Sequence, residues 1–274
     1  AASVCEFVTT QLSVPVGNSP NSIARSAKQP TTAIRRRDMA QIEMVFVCAQ
    51  DKENVGSTVM RSFQMCEAMR RYEAERISPR MSVMPVRRRF STIAQLSWAQ
   101  SVPRDAVVVF SKTAIRALRP ATIAILRRRV RGICFDHVDE PPQTLRTHGA
   151  DRHLCCSHTQ FAQFRAMDKK VAEAARLVHH APDLRLIGTA RAQQDQFSAL
   201  YMGDIRNTEI PEHLVRDVHV IDLRKADALD ENMGTLPLYN MHYNVRRFRQ
   251  GQAGAAKPFV KGFTAAILGA NILT

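Results

Sequence analysis

From residue 44 onward, short apolar runs recur along the chain, separated by polar or glycine-containing turns and by longer stretches whose apolar residues fall at helical spacing. The first run, MVFVCA (Met44 to Ala49), has the unbroken apolar character of a strand covered on both faces. After the polar loop QDKENVG, Ser57 or Thr58 can cap a helix that places Val59, Phe63, Cys66 and Met69 on one face. The pattern then repeats. AVVVF (Ala106 to Phe110) precedes a helical segment from about Thr113 to Val130, which Pro120 interrupts or divides because proline has no N–H for the helix ladder. GICFD (Gly132 to Asp136), HLCCS (His153 to Ser157) ahead of the helix-like TQFAQFRAM, and RLVHH (Arg176 to His180) complete this series.

A second series follows the polar segment Gly188 to Gln196. Its candidate strands are FSALYMGD (Phe197 to Asp204), VHVIDL (Val218 to Leu223), LPLYNMHY (Leu236 to Tyr243) and the terminal NILT. Strands alternating with helix-length connections predict parallel sheets with helices on their faces. The expected fold is therefore α/β, with two Rossmann-like domains over residues 44–189 and 190–274, the second shortened and incomplete. Residues 1–43 are rich in Ser, Thr, Pro, Asn and Arg, lack a sustained apolar period, and read as a flexible basic tail.

Composition narrows the class of protein. Hydrophobic residues make up 45% of the chain and aromatic residues only 6%, which suits a core of Val, Ile, Leu, Ala and Met. No run approaches the roughly 18 apolar residues of a membrane helix, so no transmembrane segment is expected. Lys and Arg outnumber Asp and Glu by 39 to 25, for a net charge of +14, which favours polyanionic partners. The arginine triplets Arg35 to Arg37, Arg87 to Arg89 and Arg127 to Arg129 have no interleaved aromatic platform, which makes nucleic acid the less favoured partner. The six cysteines lack the dense spacing of a disulfide scaffold and sit mostly in apolar runs, as in a reducing compartment. The expected location is cytoplasmic, or an organellar matrix if the basic stretch Ser19 to Arg37 is a transit remnant. No cofactor is implied. His153, Cys155, Cys156 and His158 are metal-ligand types, but on a strand the first two face one side and the last two the other, so no metal site is expected.

Three segments carry a family resemblance: LVHHAPDLRL at the domain junction, ALYMGDIRN opening the second domain, and YNMHYNVRRFRQ followed by KPFVKGFTAAILGANIL. On these the chain resembles the two-Rossmann-domain (GT-B) glycosyltransferases. The resemblance implies transfer of a sugar from a nucleotide-sugar donor to an acceptor hydroxyl, without a metal, between the two domains. A departing diphosphate needs fixed cations and backbone N–H groups. Arg246, Lys257 and Lys261 would supply the cations, with His242 beside them, and a helix beginning near Phe259 or Val260 would add its N-terminal amides. Gly203, ending the first strand of the second domain, would let a phosphate or sugar approach the backbone. Each lysine taken singly also reads as an ordinary surface residue beside a turn.

Many retaining members of the family carry two glutamates eight residues apart in this region, where Ala256 and Thr264 stand here, so a retaining mechanism of that type is not expected. On the acceptor side, FDHVDEP (Phe135 to Pro141) lies just beyond a strand's carboxyl end, where open α/β sheets place ligands. Asp136 and His137 are the expected catalytic pair, one of them removing the acceptor's proton. The competing expectation is a non-catalytic structural or binding subunit that retains the fold. Its source is the final stretch, read as the helix Phe259 to Leu268 followed by a buried strand whose sheet would be left uncovered. On that reading the chain either meets a protein partner through Ala265 to Thr274 or is a piece of a longer chain.

Overall fold

β1 (Ile42–Ala49) is buried from Met44 to Ala49, and its alternate residues feed two different cores. The computed structural model describes residues 41–50, 56–86, 91–143, 146–189, 196–225, 228–247 and 260–274. Val45 and Val47 point to one side with Val108 and Phe110 of β3 (Val107–Ser111) and with Ile133 and Phe135 of β4 (Gly132–Asp136). Met44, Phe46, Val107, Val109 and Cys134 point to the other. This period of two, apolar on both faces, is what a parallel sheet clad on both sides demands. A fully buried side chain such as Phe110 or Phe135 contributes about 1.5–3 kcal/mol.

The first sheet has six parallel strands in the order β2-β1-β3-β4-β5-β6, completed by β2 (Ile77–Met84), β5 (Arg152–Cys155) and β6 (Ala175–Leu177). One face is covered by α1 (Gln64–Tyr72) through Met65, Cys66 and Met69. The other is covered by α2 (Ser91–Ser101), α3 (Lys112–Ala117) and α4 (Pro120–Arg127), while α5 (His158–Arg165) and α6 (Lys169–Ala174) close the β5 and β6 end. The predicted long helix from Thr113 to Val130 is thus two helices divided at Pro120, which opens α4 where its missing N–H costs nothing.

β2 and α2 were not anticipated. In β2 the sequence ISPRMSVM alternates and contains a proline, which hides an edge strand from a search for apolar runs. A second difference lies ahead of α1. Val59–Phe63 form a π-turn, and the extra residue rotates the following face. Phe63, expected inside, is 37% exposed, whereas Arg61 and Ser62 are buried.

The second sheet has four parallel strands in the order β10-β9-β7-β8: β7 (Ala199–Gly203), β8 (Val218–Asp222), β9 (Met241–Tyr243) and β10 (Asn271–Leu273). The helices α7 (Ala228–Asn232) and α8 (Val260–Ile267) accompany it. The expected strand Leu236 to Tyr243 is split, because Pro237 sits in a 3-10 turn, Leu236–Leu238, and only Met241–Tyr243 pair. The terminal strand, expected to be buried, is an edge: Asn271 is exposed and Leu273 is 45% exposed. Leu186 packs into the second core with Leu200, Ile221 and Leu268. The fold class is α/β with two parallel sheets, the second smaller. No helix among the described residues is long and apolar enough to cross a membrane.

Candidate functional site

In each sheet the earliest strand has its two successors on opposite sides, which leaves a crevice at the carboxyl ends, between β1 and β3 and between β7 and β9. Both crevices open on one cleft of about 290 Å³ between the lobes. A groove of about 600 Å³ lies at the other end of the second sheet, beside Ala199 and Val218 where β7 and β8 begin, away from the switch points.

The second-lobe wall is built around Gly203. Its φ is +154°, and a Cβ there would lie 3.0 Å from the Tyr201 hydroxyl and 3.2 Å from Lys261 Nζ, so only glycine fits. Tyr201 folds back under this turn, donating its hydroxyl to the Asp204 carbonyl at 2.7 Å. Lys261, near the start of α8, places Nζ 3.8 Å from the centroid of the Tyr201 ring. Burial, then the nearby charge of Arg246, brings the Lys261 amine down to about 7. Arg246 is held in place by its segment: Thr208 bridges to it, Thr208 Oγ1 donates to the Val245 carbonyl at 2.7 Å, and Arg247 N donates to the Asn207 carbonyl at 3.2 Å. Neither cation has an acidic partner among the described residues. His242 on β9 is buried, and burial followed by Lys261 lowers its pKa to about 4. Its Nε2 and the Oδ1 of Asn244 are buried polar atoms without a hydrogen-bond partner. Gly203, Arg246 and Lys261 therefore line the cleft together, with His242 behind them. Lys257 lies outside the described residues.

The expected catalytic pair is placed differently. Asp136 is the last residue of β4, and its Oδ2 accepts from Arg61 Nε at 2.8 Å with both side chains almost fully buried. Oδ1 accepts from the Val138 amide at 3.1 Å, holding that β-branched residue at a φ of +54°. The same arginine donates from Nη1 to the carbonyls of Val178 and His179, at 3.2 and 3.0 Å. It thereby ties the end of β4 to the segment after β6. His137 is fully buried, with Nε2 2.9 Å from His153 Nδ1 and its ring 4.5 Å from that of Phe164. Burial lowers His137 to about 3, helped by His153, and lowers His153 to about 4. The structure does not bring Asp136 or His137 to the cleft, because the strand end turns both into the interior.

The residues that reach the first-lobe wall include Asp139 and His180, with Asp183 beside them, held by Arg185 at 2.6 Å. Lys112 Nζ lies 2.5 Å from Asp139 Oδ1 and 3.8 Å from Glu140, which also pairs with Arg116 at 2.5 Å. His180 is buried, and its Nδ1 lies 3.0 Å from the Ala181 carbonyl. A carbonyl only accepts, so Nδ1 carries the proton and Nε2 keeps its lone pair. Burial, then Arg61, lowers the His180 pKa and keeps the imidazole neutral. Both residues stood in segments that the sequence singled out, FDHVDEP and LVHHAPD, but which of several adjacent polar residues faces the cleft depends on how each strand ends. The unpartnered Ser57 Oγ, in the turn ahead of the π-turn, adds a further polar group to this wall.

Among the described residues no group of three or more His, Cys, Asp or Glu could hold a metal ion. Cys155 packs with Phe164, Val171 and Ala175, while Cys156 contacts the Val138 carbonyl, so the two thiols face opposite ways. Burial pushes both upward, Cys156 to about 12, and keeps them protonated.

No protein-family model matches the sequence, and no curated protein sequence matches it. Among solved structures, the chain is similar to the lipopolysaccharide outer core galactosyltransferase WaaB in its apo form. That likeness has 9% sequence identity and a TM-score of 0.49, covering 84% of this chain and 80% of the other.

Proposed function

We propose that the cleft binds a nucleotide-sugar donor and transfers its sugar to an acceptor hydroxyl. The observation that carries this reading is the pair of cations without acidic partners among the described residues, Lys261 and Arg246, beside the positive-φ Gly203 and opposite a neutral histidine. Two adjacent cations in a concave site are stabilised by an anion with several oxygens, and a diphosphate fits that requirement. Lys261 and Arg246 would hold the diphosphate and neutralise the charge that develops as its bond to the sugar breaks, which is the work a metal ion does in other sites. Lys257, four residues ahead of Lys261, is assigned as a further cation, and the buried His242 stays neutral beside Lys261.

His180 is the general base of the proposed reaction. The acceptor oxygen attacks the anomeric carbon, the bond to the diphosphate breaks, and the hydroxyl proton passes to Nε2 of His180. Asp139, fixed by Lys112, orients the acceptor by accepting a hydrogen bond. Direct displacement inverts the anomeric centre, in keeping with Ala256 and Thr264 standing where the glutamate pair of many retaining enzymes is found.

Thermal unfolding with UDP, GDP and ADP tests the donor site. A bound nucleotide raises the melting temperature by mass action, and Lys261→Ala or Arg246→Ala should abolish the rise. His180→Ala should keep the rise while removing sugar release from the matching nucleotide sugar. Indifference of the wild type to all three nucleotides, or an equal rise in both cation variants, would overturn the reading. A non-catalytic subunit is the second reading, favoured by the exposure of Phe263 and Leu273, 40% and 45%, along α8 and the β10 edge. Light scattering before and after Leu273→Lys decides it: assembly lost in the variant supports a subunit, and a monomer in both removes it.

A further inference from the structure

Beside the cleft, on the first lobe, the carboxyl edge of the six-stranded sheet carries a separate polar groove of about 300 Å³. Its floor is Gln95, which is 1% exposed and fully engaged. The side-chain amide donates to the carbonyls of Pro85 and Ala117 at 3.1 and 3.0 Å, and its oxygen accepts from Arg119 N and Thr122 Oγ1, both at 3.1 Å. Four bonds on one buried amide fix the mouth of the groove, because any movement of the turn between α3 and α4 would break a buried hydrogen bond.

Three guanidinium groups line this fixed mouth: Arg116, Arg119 and Arg146. Arg116 is balanced by Glu140. Arg119 has only the Ser91 hydroxyl, at 3.5 Å, as a side-chain partner, and Arg146 has no acidic partner among the described residues. The first turns of α2 and α4, at Ser91 and Pro120, line the same groove and bring the positive ends of their helix dipoles to it. Like charges gathered in a concave surface repel one another, and a bound anion removes that cost. Arginine's planar fork matches phosphate oxygens in pairs, so several forks around one groove suit a tetrahedral phosphoryl group better than a two-oxygen carboxylate.

The groove is not isolated from the chemistry. Arg116 contacts Glu140, Glu140 lies 3.8 Å from Lys112, and Lys112 contacts Asp139 in the cleft, so one chain of paired charges runs from groove to cleft. We propose that the Arg119 and Arg146 groove is an anion site distinct from the donor site and that it holds a phosphate group borne by the acceptor. Its role towards the acceptor rests on the transferase reading above, whereas the anion site itself does not. The acceptor class that follows is a phosphorylated sugar or polyol whose free hydroxyl reaches His180.

Binding of inorganic phosphate, glucose 6-phosphate and acetate to the full chain, measured calorimetrically beside UDP, GDP and ADP, tests this. The variants are Arg119→Gln with Arg146→Gln, Arg146→Gln alone as a loop substitution that leaves Gln95 untouched, and Arg246→Gln in the cleft. The double variant should bind phosphate about tenfold more weakly or worse and keep its nucleotide affinity, while Arg246→Gln should do the reverse. Glucose 6-phosphate binding more tightly than inorganic phosphate supports an acceptor-borne group, and equal or weaker binding overturns that assignment in favour of a free-phosphate site. Phosphate affinity unchanged in both groove variants, or lost in Arg246→Gln, overturns the groove as an anion site. If no nucleotide binds while the groove variants still lose phosphate, the transferase reading falls and the anion site stands.

Discussion

The two lobes bury charge in opposite ways at the same end of their sheets. In the first, Arg61 meets Asp136 at 2.8 Å, and both the carboxylate and the guanidinium make further hydrogen bonds to backbone groups. In the second, Lys261 is half-buried over a tyrosine ring beside Arg246, and no carboxylate answers either cation among the described residues. A buried charge paired with its opposite and bonded to the backbone maintains a fold, and its removal leaves an expensive remnant. A half-buried cation without a counter-ion stores unfavourable energy that an arriving anion releases. The contrast separates a structural pair from a binding pair although both involve strongly polar residues at strand ends.

Breaking the first pair should give the largest effect. Arg61→Met leaves the Asp136 carboxylate buried without its partner and should cost about 3–5 kcal/mol by chemical denaturation. Arg61→Met with Asp136→Asn should be less damaging than the single change, since no uncompensated charge remains. A smaller loss in the single variant than in the double would erase the distinction between the lobes.

Acid should come next, chiefly through the first lobe, where His137 and His153 lie, with His242 of the second lobe adding to it. His137 and His153 have folded pKa values near 3 and 4, below the ordinary 6.5, so the unfolded chain binds more protons between those limits. Stability should therefore hold above about pH 6.5 and fall as pH drops towards 4, by roughly 1.4 kcal/mol per pH unit for each histidine protonated only on unfolding. Melting temperature against pH checks this, and His153→Gln should flatten the slope. A curve level from pH 7 to 4 would mean that the pair is not buried neutral.

For the second lobe the expected sign is reversed. Lys261→Met removes a cation that the fold does not neutralise, so stability without ligand at pH 6 should stay level or rise by about 1 kcal/mol, while nucleotide stabilisation disappears. In the wild type, affinity for a nucleoside diphosphate should be greatest below about pH 7, where the Lys261 amine is charged before binding, and should weaken as pH rises through 7 to 9. Proton uptake on binding, measured calorimetrically in buffers of different ionisation heat, should accompany it and vanish in Lys261→Met. The smallest effect belongs to the surface lattice in which Arg206 pairs with Asp204 and Arg224 with Asp222. Arg206→Ala should leave the melting temperature unchanged within error, because water screens exposed pairs.

Strands that are apolar on both faces were legible in the residue pattern alone. Met44 to Ala49 and Gly132 to Asp136 appear where the pattern placed them, because burial on both sides of a parallel sheet writes itself as an uninterrupted apolar run. The division of the long helix at Pro120 was equally legible, since a missing N–H acts locally. The edge strand β2 and helix α2 escaped because their alternating or mixed patterns carry no local signature of what covers them. Tertiary structure alone decided the candidate site. Gly203, Arg246 and Lys261 are far apart in sequence and meet only because β7 and β9 are neighbours and α8 begins above them. Within FDHVDEP every polar residue was a plausible base, and a π-turn 75 residues earlier brought Arg61 inward to claim Asp136. That pairing left the cleft to Asp139 and to His180 and Asp183 beyond another strand end, because a side chain's role follows from what it faces, and facing is a property of the packed whole.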